Sequence, residues 1–231
     1  MYLNLGSILL ANANEKPEAV VLRAGDLAMT YGELDRAVRG VATSLRARGI
    51  SPGDKVALLV PNVPEFTIAY FGILYAGAIV VPINVLAVAP EVTYFLEDSG
   101  ARVLIVHPLF EEAGRKGALA IDASVLLAIP GEEEGTIGGM ALADPIDEPH
   151  KTSPQDTAVI LYTSGTTGKP KGAELTHSNL VLNCSVVLPK LLPPLDGGHR
   201  AIATLPLFHS FGQTVIQNGM IANGGSFTLL A

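Results

Sequence analysis

Apolar positions recur at helical spacing in some stretches of the chain and run unbroken in others, and the two kinds alternate. In "NLGSILLANAN" (4–14), Leu5, Ile8 and Leu9 share one face, which predicts a short helix. "AVVLRAGDLAMT" (19–30) predicts two short strands around the turn Ala24-Gly25-Asp26. Thr30 and Glu33 then have capping-box spacing, Leu34, Val38, Val41 and Leu45 keep a helical period, and Gly49 ends the helix. "KVALLV" (55–60) is apolar nearly throughout, so it predicts a buried, parallel strand. Pro64 suits a first helical turn and opens a helix over 64–75.

The alternation continues with a strand "AIVVPI" (78–83), a helix over 89–100 closed by Gly100, and a strand "RVLIVH" (102–107). A helix over 108–119 and a strand "SVLLAI" (124–129) follow. Residues 130–154 are rich in glycine, proline and acid and read as one long surface connection. "TAVILYT" (157–163) is a buried strand, and "THSNLVLNCSVVLPKLL" (176–192) a helix capped by Thr176 or Ser178. The last elements are a strand "RAIATLPL" (200–207), a helix through about residue 222, and a strand "GSFTLLA" (225–231).

This succession predicts an α/β fold of mainly parallel sheets flanked by helices in a layered arrangement. Ligands of such sheets bind at the carboxyl ends of the strands, and residue 163 is one such end. No residue from Phe66 to Pro90 is charged, yet Gly72, Gly77 and Pro82 interrupt the run too early for a membrane span. A buried helix entering a buried strand is expected instead, with peripheral membrane contact left open.

Composition narrows the function classes. A net charge of −7 without a basic stripe excludes a nucleic-acid footprint. The single cysteine, Cys184, excludes an internal disulfide and a multi-thiolate metal site, and fits a cytoplasmic setting. The N-terminus has neither a basic leader nor a small-residue cleavage site. "GEEEG" (131–135) reads as solvated loop.

The chemistry concentrates in "YTSGTTGKPKG" (162–172). Gly165 and Gly168 let backbone N–H groups turn inward around an anion. Thr163, Ser164, Thr166 and Thr167 can donate hydroxyl hydrogen bonds to oxyanions or ligate a hard cation. Lys169 and Lys171 add positive charge, Lys171 being the better placed because Pro170 restricts the path before it. Together they predict phosphate binding. A Walker A loop is excluded, since only two residues separate Gly165 from Gly168 and Pro170 stands where a metal-binding hydroxyl belongs.

These eleven residues resemble the signature loop of the adenylate-forming superfamily, which includes acyl-CoA synthetases, luciferases and peptide-synthetase adenylation domains. Residues 30–84 are similar to the family's N-terminal region, and "ATLPLFHSFG" (203–212) to its next core motif. The resemblance implies ATP-dependent activation of a carboxylic acid to an acyl-adenylate, then transfer to coenzyme A. Residues 163–171 would hold the β- and γ-phosphates of ATP, with Thr163 on the Mg²⁺ side. His209 stands where the amino-acid-activating branch generally has an aspartate. The resemblance therefore favours a simple organic acid, with His209 as the catalytic candidate beside its carboxylate, and a medium- or long-chain fatty acid by general likeness to fatty-acyl ligases. Phe208, Phe211, Val215 and Ile216 are candidates for an acyl pocket. His107, His150, His177 and His199 read as surface or loop residues, His177 being near enough to the phosphate loop to help shape it.

The family's Gly-Tyr-Gly-x-Thr-Glu segment, ribose-binding aspartate, hinge and small C-terminal domain with its catalytic lysine have no counterpart here. The resemblance thus implies the N-terminal portion of a large domain over 1–231, with one lobe near 51–199 and a partial lobe from 1–50 plus 200–231. The isolated chain is expected to form no adenylate at a useful rate and to self-associate, and its CoA site would lie mostly elsewhere. A non-catalytic nucleotide- or acyl-binding module, and a ligase delivering to a carrier protein, remain alternatives.

Overall fold

The computed structural model describes residues 4–163, 168–192 and 198–230. Its first elements are α1 (Gly6–Glu15), β1 (Val20–Ala24), β2 (Leu27–Thr30) and α2 (Tyr31–Ala47). Then come β3 (Lys55–Leu59), α3 (Pro64–Ala76), β4 (Ile79–Pro82), α4 (Ala89–Ser99), β5 (Val103–Val106), α5 (Glu111–Leu119) and β6 (Ser124–Leu127). A short α6 (Ile137–Ala141) precedes β7 (Thr157–Thr163), β8 (Lys171–Thr176) and α7 (His177–Leu182). A wide π-helical turn, Asn183–Val187, carries α7 into α8 (Leu188–Leu191). After β9 (Arg200–Ala203), a second π-helical stretch, Gly212–Asn218, leads to α9 (Gly219–Ala222) and β10 (Ser226–Leu229).

Two sheets result. One has six strands in the order β6-β5-β3-β4-β7-β8, parallel except for the β7–β8 pair. The other has four, β2-β1-β10-β9, and is parallel except for β1–β2. The mainly parallel, helix-flanked architecture read from the apolar runs is the one observed.

Local signals explain most of the elements. Thr30 accepts the amide of Glu33 while the Glu33 carboxylate accepts the Thr30 amide, so the predicted capping box starts α2. Pro64 occupies the first turn of α3, and Gly100 ends α4 at φ 71°, in the left-handed region. Every residue of α3 from Phe66 to Ala76 is buried. Such all-round burial explains its lack of a polar face. At Gly72 the helix lies close against α2: a Cβ there would sit 2.5 Å from Val41 Cγ1. At 13 residues, α3 is only about 20 Å long. Among the described residues, no helix is long and apolar enough to cross a membrane.

Two expectations need correction, and one strand was not foreseen. The 130–154 stretch is not all surface connection: Thr136 caps α6, whose Ile137 and Met140 are buried. Residues 171–176 form a strand that the apolar pattern did not announce. The strand expected over 200–207 leaves the sheet after Ala203, which frees the following residues to reach across to the other sheet.

Candidate active site

The glycine- and hydroxyl-rich motif closes a hairpin. β7 runs from its buried centre, Ala158 to Ile160, to an exposed Thr163, and β8 returns antiparallel with Lys171 opposite Thr163. A helix begins only at His177. This strand–loop–strand path differs from the strand–loop–helix of a Walker A site, in line with the exclusion made on spacing. Ser164, Gly165, Thr166 and Thr167 lie outside the described residues. Gly168 has φ 93°, a left-handed conformation that suits glycine. Lys169 and Lys171 are both exposed, and Lys169 Nζ lies 5.9 Å from the centre of the Tyr94 ring.

His209 arrives from the other sheet. Asn62, in the turn after β3, donates its amide to the carbonyls of Ala203 (3.0 Å) and Leu205 (3.1 Å). The same side chain accepts the Leu207 amide at 2.8 Å. Three hydrogen bonds from one residue therefore fix the path from β9 to Phe208 and His209. The His209 amide then donates to the Pro206 carbonyl, and the Gln213 amide donates to His209, which starts the next helical stretch.

Between these segments lies a cavity of about 220 Å³, at the carboxyl ends of β4 and β7. Ile83, Asn84, Tyr162, Thr163, Phe208 and His209 are among its walls. Two predicted site residues from separate motifs, Thr163 and His209, thus face one space. None of the described lining residues is acidic. The Phe208 and His209 rings are 4.8 Å apart. Of the other acyl-pocket candidates, Phe211 is exposed, while Val215 and Ile216 pack against the main core. None of the three lines this cavity.

His177 is not a surface or loop residue. It is 1% exposed, and its Nδ1 accepts the Leu5 amide at 3.0 Å, tying the start of α7 to the chain's first helix. Burial depresses its pKa to about 4, against a smaller opposing pull from Asp156. Cys184 is buried too, and burial pushes its thiol up to about 11, so it acts as a small apolar side chain.

Among the described residues, no group of three or more His, Cys, Asp or Glu could hold a metal ion. The Thr163 hydroxyl is a hard oxygen at an exposed strand end, the kind of donor that Mg²⁺ takes. The sequence did not disclose Asn62, Tyr94 or Asp98 as parts of this region. Asn62 reads as an ordinary residue before a helix because its partners lie far along the chain.

The chain was compared with known families and structures. A family model described as "AMP-binding enzyme" matches residues 9–231. The chain is 40% identical over 227 residues to a feruloyl-CoA synthase of Amycolatopsis sp., covering 97% of this chain and 43% of the relative. It is 36% identical to the long-chain-fatty-acid–CoA ligase FadD13 of Mycobacterium tuberculosis, covering 92% and 42%. ATP-bound MatB from Rhodopseudomonas palustris superimposes with a TM-score of 0.86 at 28% identity, covering 100% of this chain and 45% of that one. The anthranilate CoA ligase AuaEII in complex with anthranoyl-AMP gives 0.89 at 28%, with the same coverage. The chain therefore spans less than half the length of these relatives.

Proposed function

Because the chain belongs to the AMP-binding enzyme family, we propose that it supplies the phosphate-binding and acid-binding part of an ATP-dependent acid–CoA ligase. The observation that carries this reading is the single cavity flanked by Thr163, at the base of the phosphate-type hairpin, and His209. A carboxylate held beside His209 would approach a triphosphate held by the hairpin. Its oxygen forms a bond to the α-phosphorus as the bond to pyrophosphate breaks. In the second half the thiol of coenzyme A forms a C–S bond at the acyl carbon, AMP leaves with the C–O electrons, and the thiol proton passes to solvent.

In this scheme the chain's own residues bind and orient. Lys169, Lys171 and the amides and hydroxyls of 163–168, including Ser164, Gly165, Thr166 and Thr167, hold phosphate oxygens and stabilise charge on the departing pyrophosphate. Mg²⁺ would spread that charge further, with Thr163 as one oxygen ligand. His209 and Phe208 place the acid. Among the described residues the cavity has no acidic wall, and His209 carries no fixed negative charge, which disfavours a substrate bearing an ammonium group.

The substrate proposed first is a medium- or long-chain fatty acid, supported by the likeness to FadD13. An aromatic acid is the second reading, favoured by the 40% identity to a feruloyl-CoA synthase. Residues 51–199 and 1–50 plus 200–231 are proposed as two lobes, and the site of action as cytoplasmic. To test the function, the protein expressed from its intact gene is given ATP, Mg²⁺, coenzyme A and a panel of fatty, aromatic and amino acids. Acyl-CoA formation with fatty or aromatic acids is expected, with His209→Ala lowering kcat/KM for the acid. ATP binding without turnover of any acid would favour a non-catalytic module. Turnover only with an acyl-carrier protein would favour the carrier-directed ligase.

A further inference from the structure

One helix grips both stems of the phosphate-type hairpin. From α4, the Tyr94 hydroxyl donates to the carbonyl of Pro170 at 2.7 Å, between the two lysines of the returning stem. One turn further along α4, the Asp98 carboxylate accepts the hydroxyl of Tyr162, the residue before Thr163, also at 2.7 Å. Positions 94 and 98 share a helix face, so one rigid element fixes the hairpin at the loop end of both stems. Aromatic contacts reinforce the grip: the Phe95 ring is 4.6 Å from that of Tyr162, and the Tyr94 ring is 6.2 Å from it. Lys169 rests over the Tyr94 ring, a contact favoured by the ring's negative face.

The hairpin's own sequence cannot supply this rigidity. Among its described residues Thr163, Gly168 and Gly172 are exposed and bury almost nothing, and β8 is an edge strand with Lys171 to Glu174 exposed. Each of the two cross-links joins residues far apart in sequence, so neither is a by-product of local turn formation. We infer that Tyr94 and Asp98 are positioning residues, which set the height and direction of Lys169 and Lys171 toward the phosphates from outside the site. They touch no reacting atom. A misplacement of about 1 Å in a group that orients a reacting substrate can cost a large factor in rate, so the grip should show in nucleotide kinetics.

The inference rests on the phosphate reading of the hairpin, and the test separates the two. In the protein expressed from its intact gene, Tyr94→Phe removes one hydroxyl and keeps the ring. It is expected to raise KM for ATP roughly tenfold in acid-dependent ATP–pyrophosphate exchange, the effect of one hydrogen bond. KM for the acid and the melting temperature should stay within error. Asp98→Ala should act on ATP in the same direction, and Asp98→Asn, which keeps an acceptor oxygen for Tyr162, should restore most of the loss. Lys171→Ala is the control for the reading itself. If Lys171→Ala weakens ATP while Tyr94→Phe and Asp98→Ala do not, the positioning role is overturned and the phosphate reading stands. Equal shifts in KM for ATP and acid, together with a lower melting temperature, would make the contacts merely structural and also overturn it. If Lys171→Ala has no effect on ATP, or the parent protein shows no exchange, both fall.

Discussion

A histidine that accepts a hydrogen bond through Nδ1 cannot be protonated there without breaking that bond. His177 is such a residue, and its depressed pKa makes it a determinant of acid stability. The folded state binds the proton more weakly than the unfolded chain does, so stability rises with pH wherever His177 titrates. The contribution is fully present above the ordinary value of 6.5 and is lost as the pH falls toward about 4. From those two limits the loss is on the order of 3 kcal/mol. Unfolding midpoints in denaturant should fall across that window, and His177→Asn, which keeps an acceptor for the Leu5 amide, should flatten the slope. An unchanged slope in the variant would contradict this role. Sequence placed His177 near the phosphate loop but not in the core, because its partner is the amide of Leu5, remote in the chain. Thr163 was singled out by the unusual composition of its own motif and His209 by the resemblance of 203–212 to a family motif, and the structure brings the two to one cavity.

At the scale of elements, α3 packs close against α2, and Gly72 leaves no room for a Cβ between them. A larger side chain there must push apart two helices that share the main core, since the nearest atoms belong to stiff, β-branched Val41. Gly72→Leu should destabilise the fold by about 2 to 3 kcal/mol, read from chemical denaturation. A loss below about 0.5 kcal/mol would show that α2 can shift at little cost. The helices and parallel strands were readable because burial on one face or both leaves a periodic trace. β8 was not, since its residues are largely exposed and it forms by pairing with β7 rather than by burying an apolar face. α6 was hidden by its own glycines; it is set by a threonine cap and by packing on α2, neither of which gives a periodic apolar pattern.

On the scale of the whole molecule, α2 and α3 lie in a core to which residues of both sheets contribute, so the sheets are coupled through packed side chains. That coupling, with the Asn62 bridge, brings a strand end of one sheet beside the histidine that follows a strand of the other. β9 is an edge strand of the four-stranded sheet, with Ile202 57% exposed on it, and Leu205 and Phe211 beyond it are exposed as well. An apolar edge of this kind favours association, so this 231-residue chain is expected to self-associate with rising concentration in light scattering. A monomer at all concentrations, with no binding of an apolar dye, would contradict that expectation. The central claim is that the hairpin and His209 jointly serve adenylation of a carboxylic acid. Its most direct test is exchange of radiolabelled pyrophosphate into ATP by the protein expressed from its intact gene. Exchange should require both Mg²⁺ and a carboxylic acid and should fall roughly tenfold or more in Lys171→Ala. Exchange independent of added acid, or none with any acid, would contradict it.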